Sequence, residues 1–362
     1  MKNTIGNALS ITIFGESHGK AIGAVIDGIA SGIEVDESFI ARQLSRRRPS
    51  DNTSTARKEQ DDFSILSGVF EGRTTGTSIC ITISNSDTHS ADYSDMKNKM
   101  RPSHADYAAN CRYGGFQDYR GGGHFSGRIT ASLVAAAAIV IPALNKKGIY
   151  IGTHIKNIAG ITDRDFQNDD DIKNICQKSF PVLDGSVEAQ MRERILDAKS
   201  KCDSIGGILQ TAVIGIEAGI GEPWFDTVEG MLSHALFSIP AIKGVEFGLG
   251  FGYAEKRGSE ANDQMCINDG KVICTSNNNG GVTGGITNGM TILFNTVVKP
   301  TPTIALEQNT VDISNLSNTT ISARGRHDPC IVHRAAVVVE SVTALVIADV
   351  LTSKYGTDWL AK

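Results

Sequence analysis

Four of the eight histidines sit beside glycine or arginine: His18 in GESHGK, His104 in RPSHADY, His124 in GGGHFSG and His327 in GRHDPC. Imidazole exchanges protons near neutral pH; a neighbouring arginine lowers its pKa, and a carboxylate such as Asp106 or Asp328 raises it. Arginines gather in the same kind of segment. Arg42, Arg46, Arg47 and Arg48 lie in ARQLSRRRPS, followed by Arg57, Arg101, Arg112, Arg120 and Arg128, and then by Arg324, Arg326 and Arg334. A single loop arginine is most often a solvated charge. Three in a row before Pro49 cannot share one helix face, so the run is expected to end a helix and surround an anion. Guanidinium suits that task because its planar fork donates two parallel hydrogen bonds to a carboxylate or phosphate. The chemistry implied is acid–base work on a small molecule carrying several negative charges.

Other chemistries fit poorly. Three residues separate Gly15 from Gly19, and Ala21 follows Lys20, so GESHGK is not a P-loop. No H-E-x-x-H or H-x-H spacing occurs, and the flanking cations disfavour a divalent metal. The glycine segments YRGGGHFSG and NNNGGVTGGITNG do not match G-x-G-x-x-G, although side-chain-free backbone could lie against a phosphate or a flat ring.

These residues must be held by a framework, and the chain supplies one. ALSITIF, TSICITIS, IYIGTHI, LQTAVIGI and GMTILFNTVV have the β-branched content and partial two-residue period of strands. Ile129 to Leu144 and Ala335 to Leu351 are apolar on nearly every side. The first is too short for a bilayer and contains Pro142, and the second carries Glu340 and Asp349, so both are expected to be helices buried within the protein. Each follows a Gly/Arg/His loop, an echo that raises an internal duplication. Residues 163–204 are the most charged and least apolar part, and are expected to form a peripheral helical insertion on one continuous domain spanning 1–362.

With 362 residues and 40% hydrophobic content the chain can bury a large core. A formal charge of −5 argues against nucleic acid or an anionic membrane as partner, so any anion site must be local. Seven cysteines, widely spaced and without a C-x-x-C pair, suggest a reducing cytoplasm, and the N-terminus has no signal-peptide core.

GESHG, RRRP, ILSGVFEGRTTGT, HADY, DYRGGG, SIGG, GEPWFD, KGVEFG, NGGVTGGI, KPTPT and GRHDPC occur in this order. In this respect the chain resembles the chorismate synthase family from Asn3 to about Leu351. The resemblance implies an α/β chain of α+β type: a β-α-β sandwich with a helical layer between mainly antiparallel sheets, an internal pseudo-twofold, and a homotetramer. It also implies a cytoplasmic carbon–oxygen lyase of the shikimate pathway. That enzyme carries out anti 1,4-elimination of phosphate and a ring hydrogen from 5-enolpyruvylshikimate 3-phosphate, with reduced FMN and no net redox change. NADPH would enter as reductant, through a separate flavin reductase or a built-in activity. An NAD(P)H-dependent flavin reductase and a catalytically silent flavin-binding homologue are the rival readings.

By the same resemblance, His18, His104, Asp328, Ser17 and Ser126 would be catalytic. Arg47, Arg101, Arg128 and Arg326 would hold substrate anions, supported by Arg46, Arg48 and Arg57. Flavin contacts would come from His124, Phe125, Ser126, Pro240, Ala241, Gly284, Lys299, Pro300, Thr301, Pro302, Thr303 and Arg326. His124 and Phe125 stand where the family has arginine and serine, Ser103 stands where many members have glycine, and an arginine usual shortly after RRRP is missing. Glu16 receives no chemical role and is expected to be a buried structural carboxylate.

Overall fold

The computed structural model describes residues 2–49, 51–54, 60–86, 97–322 and 328–362. The N-terminal half opens with strands β1 (Thr4–Ile5), β2 (Ser10–Gly15) and β3 (Ala21–Asp27), followed by helix α1 (Glu37–Arg47), β4 (Phe63–Ser67) and β5 (Ile79–Ser84). Helix α2 (Asp106–Tyr113) and helix α3 (Thr130–Lys146) complete it. The Asp36 carboxylate accepts from Phe39 N–H to start α1. Arg48 is extended ahead of Pro49, so the arginine run does end the helix. The strands form an antiparallel sheet in the order β1-β2-β3-β5-β4. Ile22, Ala24 and Ile26 of β3 and Ile79, Ile81 and Ile83 of β5 alternate inward and are fully buried. Each such isoleucine contributes about 2 kcal/mol of apolar transfer.

The C-terminal half runs β6 (Tyr150–Ile158), β7 (Ile161–Thr162), α4 (Asp169–Asn174), α5 (Gly185–Ser200), β8 (Gly207–Ile214), α6 (Val228–Leu236), β9 (Ile242–Phe247), β10 (Ile292–Val298) and α7 (Val332–Tyr355). Its sheet, also antiparallel, has the order β7-β6-β8-β10-β9. The two halves therefore repeat one topology: β2-β3-α1-β4-β5-α3 corresponds to β6-β8-α6-β9-β10-α7, with the strands in the same lateral order. Even the irregularities correspond, since the β4–β5 pairing bulges between Ile65 and Ser67 and the β9–β10 pairing between Ile242 and Gly244.

Helices α3 and α7 pack along each other, with α3 against the first sheet and α7 against the second, while α1 and α6 fill the flanks. This placement follows from their composition. Counted from Gly127, the first helical stretch is longer than its sequence suggested, and both are long and apolar enough by length and composition to cross a membrane, yet most of their residues are buried in the core. Within residues 163–204, α4 covers the outer face of β6 and β8, and α5 buries Met191 and Ile195. Arg192 of α5 pairs with Asp51, and Lys199 donates to the Asn52 carbonyl, which ties this segment to the loop after the arginine run.

Two acidic residues interrupt α7, and each has a partner. Glu340 accepts two hydrogen bonds from Arg46, at 2.8 and 2.9 Å. Asp349 accepts the backbone N–H groups of Asn7, Ala8 and Leu9, which closes the chain start onto its last helix. Hydrogen bonds to a charged group are worth more than neutral ones, and a buried donor left alone costs its desolvation. Asp349→Ala should therefore lower the unfolding free energy by about 3 kcal/mol, read from urea denaturation midpoints at unchanged slope.

Candidate active site

Between the two halves lies a cavity of about 1040 Å³, large enough for two ligands of moderate size. Among the described residues, eight lysines or arginines line it (Lys2, Arg47, Arg48, Arg101, Arg128, Lys243, Lys299 and Arg334) against two carboxylates, Asp61 and Asp328. An acidic protein thus carries a strongly basic pocket, and low-dielectric walls focus that field on an entering anion.

Two histidines are set on one floor. The β2–β3 turn, closed by Gly19 N–H to the Glu16 carbonyl, places Ser17 and His18 under the glycine loop 121–123. Ser17 N–H donates to the Gly123 carbonyl at 3.1 Å, and its hydroxyl donates to the Arg120 carbonyl at 3.2 Å. The Ser17 hydroxyl therefore accepts from His18 Nδ1–H, 3.1 Å away, which fixes Nε2 as the proton-exchanging nitrogen. Gly121, at φ +59°, touches this ring: a β-carbon there would stand 2.2 Å from His18 Cε1. Gly122, at φ +95°, faces His104 in the same way at 3.2 Å. Only glycine allows both the left-handed backbone and the close approach.

His104 precedes α2, and its Nδ1 lies 2.8 Å from Asp106 Oδ1. Asp106 also accepts from Arg101 N, Nε and Nη2. Burial opposes ionisation of this carboxyl, but the hydrogen bonds from Arg101 and His104 outweigh it and hold its pKa far below the usual range. Arg101 is therefore fixed by Asp106, leaving Nη1 for a ligand. His124 Nδ1 donates to the Gly15 carbonyl at 2.7 Å, and Phe125 stays partly exposed with its ring 6.2 Å from Tyr113.

Across the cavity, the end of α1 meets the start of α3. Arg47 and Arg128 are both buried and share the Asp61 carboxylate, with Arg48 Nε 3.7 Å away. Arg128 also donates to Asn85 Oδ1 and the Ser84 carbonyl. Burial pushes Arg47 down to about 10, and Asp61 works against that fall, so the group remains charged at neutral pH. Arg334 bridges Asp328 at 2.7 Å and the Arg47 carbonyl at 2.8 Å. On the opposite rim Lys299, lowered by burial and by Lys243, donates to the Ser103 carbonyl, and Thr301 Oγ1 is buried without a partner among the described residues.

The family model described as chorismate synthase matches residues 9–352. The chain belongs to the chorismate synthase family. It is similar to the chorismate synthase of Thermococcus kodakarensis, 45% identical over 99% of both chains. It is likewise similar to that of Pyrococcus abyssi, 47% identical over 95% of this chain and 96% of the other. A solved structure titled crystal structure of chorismate synthase superposes with a TM-score of 0.76 at 28% identity, covering 98% of this chain and 95% of that one.

Most of the positions suggested by the chorismate synthase resemblance converge on the cavity. His18, His104, Ser126 and Asp328 line it, as do Arg47, Arg48, Arg101 and Arg128. On the side assigned to flavin, so do His124, Phe125, Pro240, Ala241, Lys299, Thr301, Pro302 and Thr303. Ser17 stands behind His18 rather than in the lining. Pro300 supports its loop, packed near Gly206, and Gly284 lies outside the cavity, in the turn between Val282–Thr283 and Ile286–Thr287. Arg46 is turned away, because the helical period that aims Arg47 at Asp61 sends Arg46 to Glu340. Glu16 is exposed, contrary to the buried carboxylate expected of it. Ser103 adopts φ +57°, a left-handed conformation that glycine takes without steric cost. Arg57, Arg324, Arg326 and His327 lie outside the described residues.

Sequence reasoning missed Asp61, Lys243 and His234 in the lining, and His333 behind it. His333, in the first turn of α7, has Nε2 2.8 Å from Ser54 Oγ and stacks on Phe180 at 5.6 Å. Burial, aided by Arg334, lowers its pKa from 6.5 to about 4. The folded protein keeps this ring neutral while the unfolded chain protonates it near 6.5, so its contribution is complete above that pH and is lost as the pH falls towards 4. Urea titrations should show a loss of about 3 kcal/mol over this window that His333→Asn removes. Gly121→Ala, which drives a methyl group into the His18 ring, should cut turnover about 10²-fold with a stability loss of only about 1–2 kcal/mol, checked by steady-state rates and thermal melts.

Proposed function

We propose that this chain catalyses the chorismate synthase reaction: 5-enolpyruvylshikimate 3-phosphate loses phosphate and one ring hydrogen in an anti 1,4-elimination, which gives chorismate and phosphate. The observation that carries the reading is the cavity itself, where eight basic side chains among the described residues surround two histidines packed against the glycine loop. The substrate bears a phosphate and two carboxylates, and Arg47, Arg48, Arg101 and Arg128 are assigned to those anions. As the carbon–oxygen bond to phosphate breaks, its electron pair stays with phosphate, and preorganised cations stabilise that growing charge. His18 delivers a proton from Nε2 to the leaving phosphate, while Ser17 holds the ring by Nδ1. His104, oriented by Asp106, and Asp328, oriented by Arg334, are assigned to proton management on the flavin side, with Ser126 beside them.

The residues present fit a bound flavin. The orphaned Thr301 hydroxyl and Lys299 offer donors on a rim lined by Pro240, Ala241, Pro302 and Thr303, and Phe125 offers an exposed ring. Reduced FMN, when bound, would supply an electron-rich ring system that allows the hydrogen to leave without net oxidation, with NADPH as reductant through a separate flavin reductase or a built-in activity. Copies of the chain would assemble as a cytoplasmic homotetramer, and the exposed Trp224 and Phe225, at 84% and 95%, offer an apolar surface for one contact between copies.

The test is anaerobic incubation of the protein with 5-enolpyruvylshikimate 3-phosphate and dithionite-reduced FMN. Stoichiometric phosphate and chorismate are expected, and neither appearing would sink the reading. His18→Ala and His104→Ala should each slow turnover about 10²- to 10⁴-fold with small changes in substrate affinity.

A further inference from the structure

Asp61 belongs to no motif that marked the site, yet it lies at the centre of the arginine cluster. It is 3% exposed, and its side chain is fully screened from solvent. Both carboxylate oxygens stand 3.2 Å from Arg47 Nη2, Oδ1 also accepts from Arg128 Nη1, and Oδ2 is 3.7 Å from Arg48 Nε. The residue takes φ +38°, a left-handed conformation that costs a non-glycine residue about 1 kcal/mol and that Asp tolerates better than most. Three elements meet through it: Arg47 ends α1, Arg128 leads into α3, and Asp61 itself precedes β4. Ser84 and Asn85, at the end of β5, hold the far side of the Arg128 guanidinium.

Two buried guanidiniums placed side by side repel strongly in a medium of low dielectric. A shared carboxylate cancels part of that repulsion and, through its two fixed oxygens, sets the plane of each fork. Resting on the reading of the preceding subsection, we propose that Asp61 is a positioning residue for the elimination. It is a built-in counter-anion that keeps Arg47 and Arg128 aimed at the departing phosphate without touching the substrate.

Loss of the charge and loss of the aim have different signatures. Asp61→Asn makes the cavity more positive, so attraction of a polyanion is retained while the guanidinium planes are released. Turnover should fall about 10²-fold with KM changed less than about fivefold. The vacated negative site should also take up an external anion. Sulfate, tested alone on the full-length protein, should bind Asp61→Asn at least about tenfold more tightly than the wild type and raise its melting temperature more.

Asp61→Glu keeps the charge but displaces it by one methylene. It should fold, respond to sulfate as the wild type does, and still lose turnover. If Asp61→Asn cannot be purified folded, this second variant carries the test. Wild-type kcat in Asp61→Glu, an unchanged sulfate response in Asp61→Asn, or a large rise in KM at unchanged kcat would each overturn the proposal. The sulfate measurement needs no catalysis, so a wild-type protein that forms no chorismate would refute the functional reading and leave this one to be judged by anion binding.

Discussion

A helix that is apolar on every side cannot face water, and this chain has two. Burying α3 and α7 needs cover on both flanks, and a single sheet can cover only one. Two antiparallel sheets solve the problem, each with its isoleucine- or valine-rich face turned inward, and the matching order of elements in the two halves shows how one solution was used twice. The arrangement has a consequence at the helix starts. Among the described residues, Ser126, Gly127 and Arg128 before α3 and Asp328 and Ile331 before α7 all line the cavity between the halves.

In that cavity the energetics reverse. Outside it, burial of hydrocarbon stabilises the fold; inside it, arginines are held at a desolvation cost that their carboxylate partners only partly offset. Each partner pair is specific: Asp106 takes Arg101, Asp61 takes Arg47 and Arg128, and Asp328 takes Arg334. Such pairs fix direction more than they add stability, and direction is what stabilises charge developing on a leaving group. Arg46 illustrates the alternative. One residue away along the same helix, it is spent on Glu340, where it secures α7 and takes no part in the cavity.

The strands and the two central helices were legible because their period and composition are local properties. TSICITIS and GMTILFNTVV read as strands and fold as β5 and β10, and the arginine run ends α1 as the Pro49 that follows it requires. The histidines were legible from their glycine neighbours, and the chorismate synthase motifs named most of the charged and histidine side chains in the lining, though few of its apolar ones. What could not be read was partnership across the fold. Asp61, within EQDDFS, resembles a solvated charge; only the long-range meeting of α1 and α3 makes it a buried counter-ion. His333 looks like any core histidine until Ser54 and Phe180 are placed around it. Glu16 failed in the opposite sense, because a carboxylate directly before the buried Ser17 and His18 is itself exposed at the turn.

The clamp of Asp349 on Asn7, Ala8 and Leu9 spans almost the whole sequence. Synthesis runs from the first sheet and α3 towards α7, so α3 emerges long before the helix that packs along it exists. The two central helices can pair only once α7 has been made. Until then the growing chain must keep the apolar flank of α3 from other chains, a delay in which chaperones have their natural point of entry.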